Sequence, residues 1–145
     1  MIIRIKNSQK KAKLKTNGIR KRLRILLESL GLPDAELSVS FVGDSFMRTL
    51  NRTYRRIDRP TDVLSFSMQE GAFPRIQPDV LGDIVIAVPV AARQASAAGH
   101  DLHCEIDLLL IHGLLHLLGY DHERGRREDI SMKRKERALL ARLSA

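Results

Sequence analysis

The chain has 145 residues, of which 43% are hydrophobic and 29% charged, as expected for one globular domain. Aromatic residues make up only 4% and tryptophan is absent, which disfavours a surface that stacks many bases on rings. The single cysteine, Cys104, excludes an internal disulfide, so we expect a small buried thiol in a reducing compartment. The N-terminus has no apolar signal core, and the most apolar segment, 106–118, is too short to span a bilayer. We therefore expect a cytoplasmic protein.

The net charge of +8 comes from the N-terminal segment, residues 1–27, which contains basic residues and no acid. From Glu28 onward, the acidic residues outnumber the basic ones by two. A polyanionic partner would explain this segment, and so would a solvated face that keeps the protein in solution. Charge alone leaves both interpretations open. The ten basic residues are Arg4, Lys6, Lys10, Lys11, Lys13, Lys15, Arg20, Lys21, Arg22 and Arg24.

The first half of the chain predicts two strands, each followed by a helix. The isoleucines within 2–5 predict a short strand, and Asn17 is placed to cap a helix that ends at Gly31. Hydrophobic residues alternate across 36–42, which predicts a half-buried strand, and a second helix follows over 44–54. The predicted apolar face of this second helix comprises Phe46, Met47 and Leu50.

The second half predicts two strands and then three helices. The strands are 63–66 and 81–88, and we expect an antiparallel hairpin with an exposed loop at 68–80 between them. The helix over 102–118 is apolar on nearly every side, so we expect it to be buried. The other helices are 89–98, which starts at a proline and ends before Gly99, and 128–143, with Ile130, Leu139, Leu140 and Leu143 facing inward.

These elements predict an α+β fold over residues 1–145, as a single domain with no linker and no internal repeat. We expect a small mixed four-stranded sheet with about five helices packed on it. The first two strands are joined by a helix and should therefore be parallel, with a right-handed crossover. The histidine-bearing helix should be central and buried.

Three of the five histidines lie close together, at His112, His116 and His122. The first two are four residues apart, so they share one face of the helix. Gly119 can end the helix in the left-handed conformation, which lets the chain turn back and bring His122 towards the other two. Three imidazoles with a fourth position open to water are typical of a catalytic zinc site. The sequence therefore predicts one zinc ion per chain.

Gly113 follows the first histidine, at the position where zinc metalloproteases carry a glutamate as general base. The absence of this glutamate counts against peptide hydrolysis. Glycine inside a helix costs about 1 kcal/mol relative to alanine. A close approach by substrate or by another backbone would explain it.

The segment His-Gly-Leu-Leu-His-Leu-Leu-Gly-Tyr-Asp-His at 112–122 resembles the signature of the YbeY family, bacterial metal-dependent endoribonucleases that act in ribosomal RNA maturation. Three further segments, 50–55, 60–66 and 81–84, are similar to segments of that family and occur in the same order. The resemblance covers roughly residues 38–123. The basic N-terminal segment and the loop at 68–80 lie outside it.

The resemblance implies a zinc site at His112, His116 and His122, with Arg55 and His112 required for RNA cleavage. It implies single-stranded RNA as the substrate, from the small ribosomal subunit, a role in ribosome quality control, ribosome-associated proteins as further partners, and no membrane. Metal-activated water would attack the phosphodiester while Arg55 stabilises the negative charge. Attack by the RNA 2′-hydroxyl is the other route. No general base or acid can be assigned from the residues.

Several neighbouring residues have two interpretations. Asp121 can hydrogen-bond a ligand imidazole or cap the turn before His122. Asp62 and Asp83 border strands and could face the site, but we favour turn or strand-end positions for both. His100 and His103 are predicted to lie on the surface or at a helix cap. Further candidates for RNA-phosphate contacts are Arg48, Arg52, Arg56, Arg59, Lys10, Lys11, Lys13 and Lys15. For the four arginines we favour the alternative, a solvated charge on a helix face, whereas for the lysines charge alone leaves both interpretations open.

Two other functions remain open from the sequence. The protein can be a zinc hydrolase for peptides or amides, which Gly113 and the basic surface disfavour. It can also be a non-catalytic ribosome-associated factor with a structural zinc, which would require a fourth protein ligand such as Asp121 or His103.

Overall fold

The computed structural model describes residues 1–68, 79–121 and 125–144. Four strands and five helices lie in these residues, and they occur in the predicted order. The elements are β1 (Ile2–Asn7), α1 (Thr16–Ser29), β2 (Glu36–Val42), α2 (Asp44–Arg55), β3 (Val63–Ser67), β4 (Val80–Ala87), α3 (Val88–Ala98), α4 (Leu102–Leu117) and α5 (Arg126–Ser144). Most of the loop predicted at 68–80 lies outside the described residues.

The four strands form one mixed sheet in the order β1-β2-β4-β3. Strand β2 is parallel to both β1 and β4, whereas β3 is antiparallel to β4. This confirms the parallel first pair, the antiparallel second pair and the α+β class. Among the residues described, strand β3 therefore lies at an edge of the sheet.

The sheet has a hydrophobic core on each face, because side chains alternate along a strand. In β4, Ile84 and Ile86 belong to the larger core, which also includes the buried leucines of α1, α4 and α5. Val85 and Ala87 belong to a smaller core, together with Met47 of α2. Helices α1, α4 and α5 therefore cover one face of the sheet, and α2 covers the other.

Helix α4 lies in the larger core, as predicted, and most of its residues are buried. Its first turn is capped by Asp101, whose side chain accepts a hydrogen bond from the backbone N–H of Cys104. Gly113 packs against Ile84, since a Cβ at Gly113 would lie 3.0–3.2 Å from three side-chain carbons of that residue. The glycine thus admits a side chain of β4, and the atoms nearest to this position belong to that side chain and not to another backbone.

A partly buried ion pair joins α1 to α4. The guanidinium of Arg22 donates hydrogen bonds to both carboxylate oxygens of Asp107, which is only 7% exposed. The carboxylate raises the pKa of Arg22. Arg20 donates to the carbonyl of Ile3, and Arg4 pairs with Glu36. Three of the ten N-terminal positive charges therefore have partners among the residues that the structure describes.

Three local predictions were wrong. Helix α1 begins at Thr16, and the carbonyl of Lys15 accepts its first backbone hydrogen bond, so Asn17 lies inside the first turn and is not the cap. Phe46 is 57% exposed because it lies about 100° around α2 from Met47. Ile130 is 44% exposed, and Met132 takes the inward position beside Leu139 and Leu143.

Helix bounds agree with the prediction to within one or two residues. Helix α4 ends at Leu117 and Gly119 has a φ of +95°, as expected for the glycine that turns the chain. Within the described part of the chain, no helix is both long and apolar enough to cross a membrane.

Candidate metal and phosphate site

His112 and His116 lie one turn apart on α4, and both side chains are half-buried. Their rings are 4.4 Å apart between centroids, at an interplanar angle of 69°. The two Nε2 atoms are 2.9 Å apart. Two Nε2 atoms this close can share one proton or face one cation, so the pair has the geometry of two ligands to a single metal ion.

The third predicted ligand, His122, lies outside the described residues. The chain leading to it turns back after α4, where the N–H of Gly119 donates to the carbonyl of His116 and the N–H of Tyr120 to that of Leu115. Asp121 follows and lines the same cleft as the two histidines. Among the residues described, no group of three or more potential metal ligands is found, because only two of the predicted three are included.

The histidines open into a cleft of about 450 Å³ between α4 and the edge strand β3. Two serines link β3 to α4 by hydrogen bonds. Ser65 Oγ donates to the carbonyl of Gly113, and Ser67 Oγ donates to the carbonyl of Leu117. These serines lie on the α4 side of β3, opposite to Leu64 and Phe66. The lining residues are Arg55, Thr61, Asp62, Val63, Leu64, Ser65, Ser67, His112, His116, Leu117, Gly119, Tyr120 and Asp121.

Arg55 is the arginine that lines this cleft, among the residues described. It is the last residue of α2, and the chain then turns at Arg56, which has a left-handed φ of +59°. Its side chain is exposed and forms no ion pair with any residue that the structure describes. Its guanidinium is thus available to an anionic group that enters the cleft.

The neighbouring arginines are placed differently. Arg48 donates two hydrogen bonds to Asp58, at 2.8 and 3.0 Å, and Arg52 lies 3.7 Å from the same carboxylate. The ion pair lowers the pKa of Asp58 and raises that of Arg48. Arg56 and Arg59 are exposed and do not line the cleft. Asn51, which is buried, donates to the carbonyl of Arg59 and holds this turn against α2.

The exposed lysines at 10, 11, 13 and 15 do not lie at the cleft. The backbone N–H of Lys15 donates to Nε2 of His103, near the first turn of α4. His103 precedes His112 by nine residues, which is about 14 Å along the helix axis. A polyanion would therefore have to extend along α4 to contact these lysines and the two histidines together.

The structure also places the two aspartates, His100 and Cys104, which the sequence offered as further candidates. Asp62 lines the cleft and accepts a hydrogen bond from the N–H of Val63. Asp83 is exposed in the middle of β4, and not at a strand end as predicted. Nε2 of His100 lies 2.6 Å from Oε1 of Glu105. Cys104 is half-buried, and burial raises the pKa of its thiol, which favours the unreactive protonated form.

One residue at the site, Glu136 of α5, was missed by the sequence analysis. Its Oε1 lies 3.4 Å from Nδ1 of His112. Glu136 falls four residues after Met132 and three before Leu139, both buried. A charged residue within an apolar helical stripe was thus a signal in the sequence, although it did not identify the partner.

Known proteins resemble this chain over nearly its whole length. A family model described as "Endoribonuclease YbeY" matches residues 4–144. The chain is 46% identical over 142 residues to the endoribonuclease YbeY of Geobacter sulfurreducens, covering 97% of this chain and 95% of the relative. It is 44% identical over 137 residues to that of Aquifex aeolicus, covering 93% and 88%.

The fold also matches a solved structure. The solution structure of TM1509 from Thermotoga maritima superposes with a TM-score of 0.71 at 30% sequence identity, covering 98% of this chain and 89% of that one. The sequence matches and the shared fold agree with the resemblance carried by the histidine segment and the Arg55 segment. The chain belongs to the endoribonuclease YbeY family.

Proposed function

We propose that this protein is a zinc-dependent endoribonuclease that cleaves single-stranded RNA in ribosomal RNA maturation and ribosome quality control. Membership of the family assigns the chain to the hydrolases that act on RNA. The observation that carries this proposal is that the paired imidazoles of His112 and His116 line the same cleft as Arg55.

The residues present fit a zinc ion. Two imidazole nitrogens on a tetrahedral zinc ion are roughly 3.3 Å apart, given Zn–N bonds of about 2.0–2.1 Å. The Nε2 atoms of His112 and His116 are 2.9 Å apart, so a small outward rotation of the rings reaches that spacing. His122 would complete the set of three histidines. When bound, zinc supplies Lewis acidity that lowers the pKa of a water molecule at the site towards neutrality.

Arg55 would bind the phosphate that is cleaved. Its guanidinium can hold two phosphate oxygens at once and remains charged at any working pH. As negative charge develops on the phosphoryl oxygens, this fixed charge stabilises it most strongly at the transition state. The serines of β3 and the carboxylate of Asp62 line the remaining wall.

The dimensions of the cleft support an unpaired substrate. A volume of about 450 Å³ lies within the range of small-ligand pockets, roughly 300–1,000 Å³. It can admit a few groups of a single nucleotide strand, whereas a duplex would present its backbone only from outside. Sequence-specific contacts to RNA are generally made where bases are unstacked.

Cleavage assays test this function. Zinc-loaded protein should cleave single-stranded RNA and spare a duplex of the same sequence, and a chelator should stop the reaction. His116→Ala and Arg55→Ala should each lose at least about 100-fold in rate, as expected when a group that stabilises transition-state charge is removed. Arg52→Ala is the matched control, because Arg52 lies one turn earlier on α2 and contacts Asp58.

The products separate the two routes of attack. Fragments that end in 2′,3′-cyclic phosphate would show attack by the RNA 2′-hydroxyl, whereas their absence would support attack by water.

Casein in place of RNA tests the peptidase alternative. Proteolysis without RNA cleavage, or full RNA cleavage by His116→Ala, would contradict the proposal. Zinc coordinated by four protein ligands would support the non-catalytic alternative.

A further inference from the structure

His112 contacts a polar group through each of its ring nitrogens. Its Nε2 lies 2.9 Å from Nε2 of His116, on the side of the cleft. Its Nδ1 lies 3.4 Å from Oε1 of Glu136, on the side of α5. A neutral imidazole carries one N–H donor and one lone-pair acceptor, so these two contacts cannot be of the same kind.

The carboxylate decides which nitrogen carries the proton. An ionised carboxylate only accepts hydrogen bonds, so Nδ1 of His112 must donate to Glu136. The lone pair of His112 then lies on Nε2 and points into the cleft. It can accept a hydrogen bond from Nε2 of His116, which completes a chain from His116 through His112 to Glu136.

Glu136 is held in position by the packing of α5. It lies on the inward stripe of the helix between Met132 and Leu139, which are 0% and 2% exposed. The side chains of Glu136 and His112 are 30% and 35% exposed, so water competes only partly for their contact. His112 and Asp62 line both the main cleft and a second cavity of about 290 Å³, which Glu136 also lines.

We propose that Glu136 is a positioning residue that keeps His112 in the Nδ1–H tautomer and so presents its Nε2 lone pair to a divalent cation in the cleft. Hydrogen bonds from metal-binding histidines to carboxylates orient the ring and increase its basicity as a ligand. The inference rests on the proposed zinc site. It assigns the role to a side chain 24 residues away in the sequence, on a different helix.

The hydrogen-bond chain also predicts that the two histidines carry their protons on different ring nitrogens in the metal-free protein. Without metal, His116 carries its proton on Nε2, where it donates to His112. Metal binding requires the lone pair of that nitrogen, so the proton of His116 must leave Nε2 and the neutral ring must carry its proton on Nδ1. His112 already has the required tautomer and keeps it.

Nuclear magnetic resonance of the metal-free protein tests the tautomers directly. Long-range ¹H–¹⁵N correlations, recorded near pH 8, should show Nδ1–H for His112 and Nε2–H for His116. Glu136→Leu should shift His112 towards Nε2–H, the tautomer preferred by a histidine side chain in water. Glu136→Gln keeps an acceptor oxygen and should retain much of the wild-type signal.

Zinc affinity, measured by competition with a chelator, is the second readout. Glu136→Leu should bind zinc about 10- to 100-fold more weakly, and Glu136→Gln should lie between it and the wild type. Glu128→Leu is the matched control, because Glu128 is an exposed glutamate two turns earlier on α5. It should change neither the tautomers nor the affinity.

The proposal is overturned if folded Glu136→Leu keeps both the His112 tautomer and the zinc affinity of the wild type. It is also overturned if His112 of the metal-free wild-type protein carries its proton on Nε2. Neither readout requires RNA, so failure to cleave RNA would contradict the proposed function and leave this inference standing. Failure of the wild type to bind zinc would contradict the cofactor, and the tautomer signals would still decide the role of Glu136.

Discussion

Replacing Gly82 by alanine should destabilise the protein more than a single methyl group ordinarily does. Gly82 has a φ of +137°, which side-chain-bearing residues rarely adopt. A Cβ there would overlap the carbonyl oxygen of Phe66 and lie 3.0 Å from its carbonyl carbon. Both atoms belong to the backbone of β3, which cannot move away without disrupting its pairing with β4.

The expected magnitude combines two terms. Strain at such a backbone conformation costs about 1–3 kcal/mol. Forcing a methyl group into a packed site costs about 1–3 kcal/mol more. A total of about 2–6 kcal/mol is a large share of the roughly 5–15 kcal/mol that stabilises a domain. Strand β3 also carries Ser65 and Ser67, so the cleft should be distorted in any Gly82→Ala protein that folds.

Urea unfolding followed by circular dichroism measures this effect, with Gly18→Ala as the control. Gly18 lies in α1 at an ordinary φ, and a Cβ there would meet only the Cβ of Lys15 at 3.8 Å. Alanine at Gly18 should stabilise the protein by about 0.5–1 kcal/mol. The reasoning is refuted if Gly82→Ala unfolds within about 1 kcal/mol of the wild type.

Three further outcomes are expected. Arg22→Ala should lower the free energy of unfolding by about 2–4 kcal/mol, because it leaves the buried carboxylate of Asp107 without its partner. The double mutant Arg22→Met/Asp107→Leu should recover most of that free energy, as measured by thermal unfolding. Additive effects of the two substitutions would contradict this. The stability difference between the wild type and Arg48→Ala should be present above about pH 4 and should be lost as pH falls through the lowered pKa of Asp58. A difference that does not change as pH falls would contradict the ion pair. Neutralising four exposed lysines should reduce the salt dependence of single-stranded RNA binding by about three units of slope, and an unchanged slope would assign them to a solvated surface. These four lysines are Lys10, Lys11, Lys13 and Lys15.

Much of the fold could be predicted because the relevant signals are local. Strand β2 was predicted at its observed bounds, and the helices of the second half were placed within two residues. Period-two and period-3.6 patterns are properties of neighbouring residues, and they survive whatever packs against them. The same period placed His112 and His116 on one face of a helix, one turn apart, before any coordinates were considered.

The errors in predicting which side chains are buried arose where two apolar residues lie close together on one helix and tertiary packing buries only one of them. Phe46 and Met47 are both apolar and lie in the same turn of α2, yet only Met47 contacts the smaller core. Ile130 and Met132 differ in the same way on α5. Hydrophobicity alone could not rank these pairs, because the direction of the sheet relative to each helix decides which side chain is buried.

The sequence by itself determined the class of the fold, the pairing of two imidazoles on α4 and the resemblance to the YbeY family. Tertiary structure decided that Arg55 reaches the cleft while Arg48 and Arg52 pair with Asp58, that Gly113 admits Ile84, and that Glu136 meets His112. The physical reason is range. A helical or extended period is set within a few residues, whereas these contacts join separate elements whose relative positions depend on the packing of both cores.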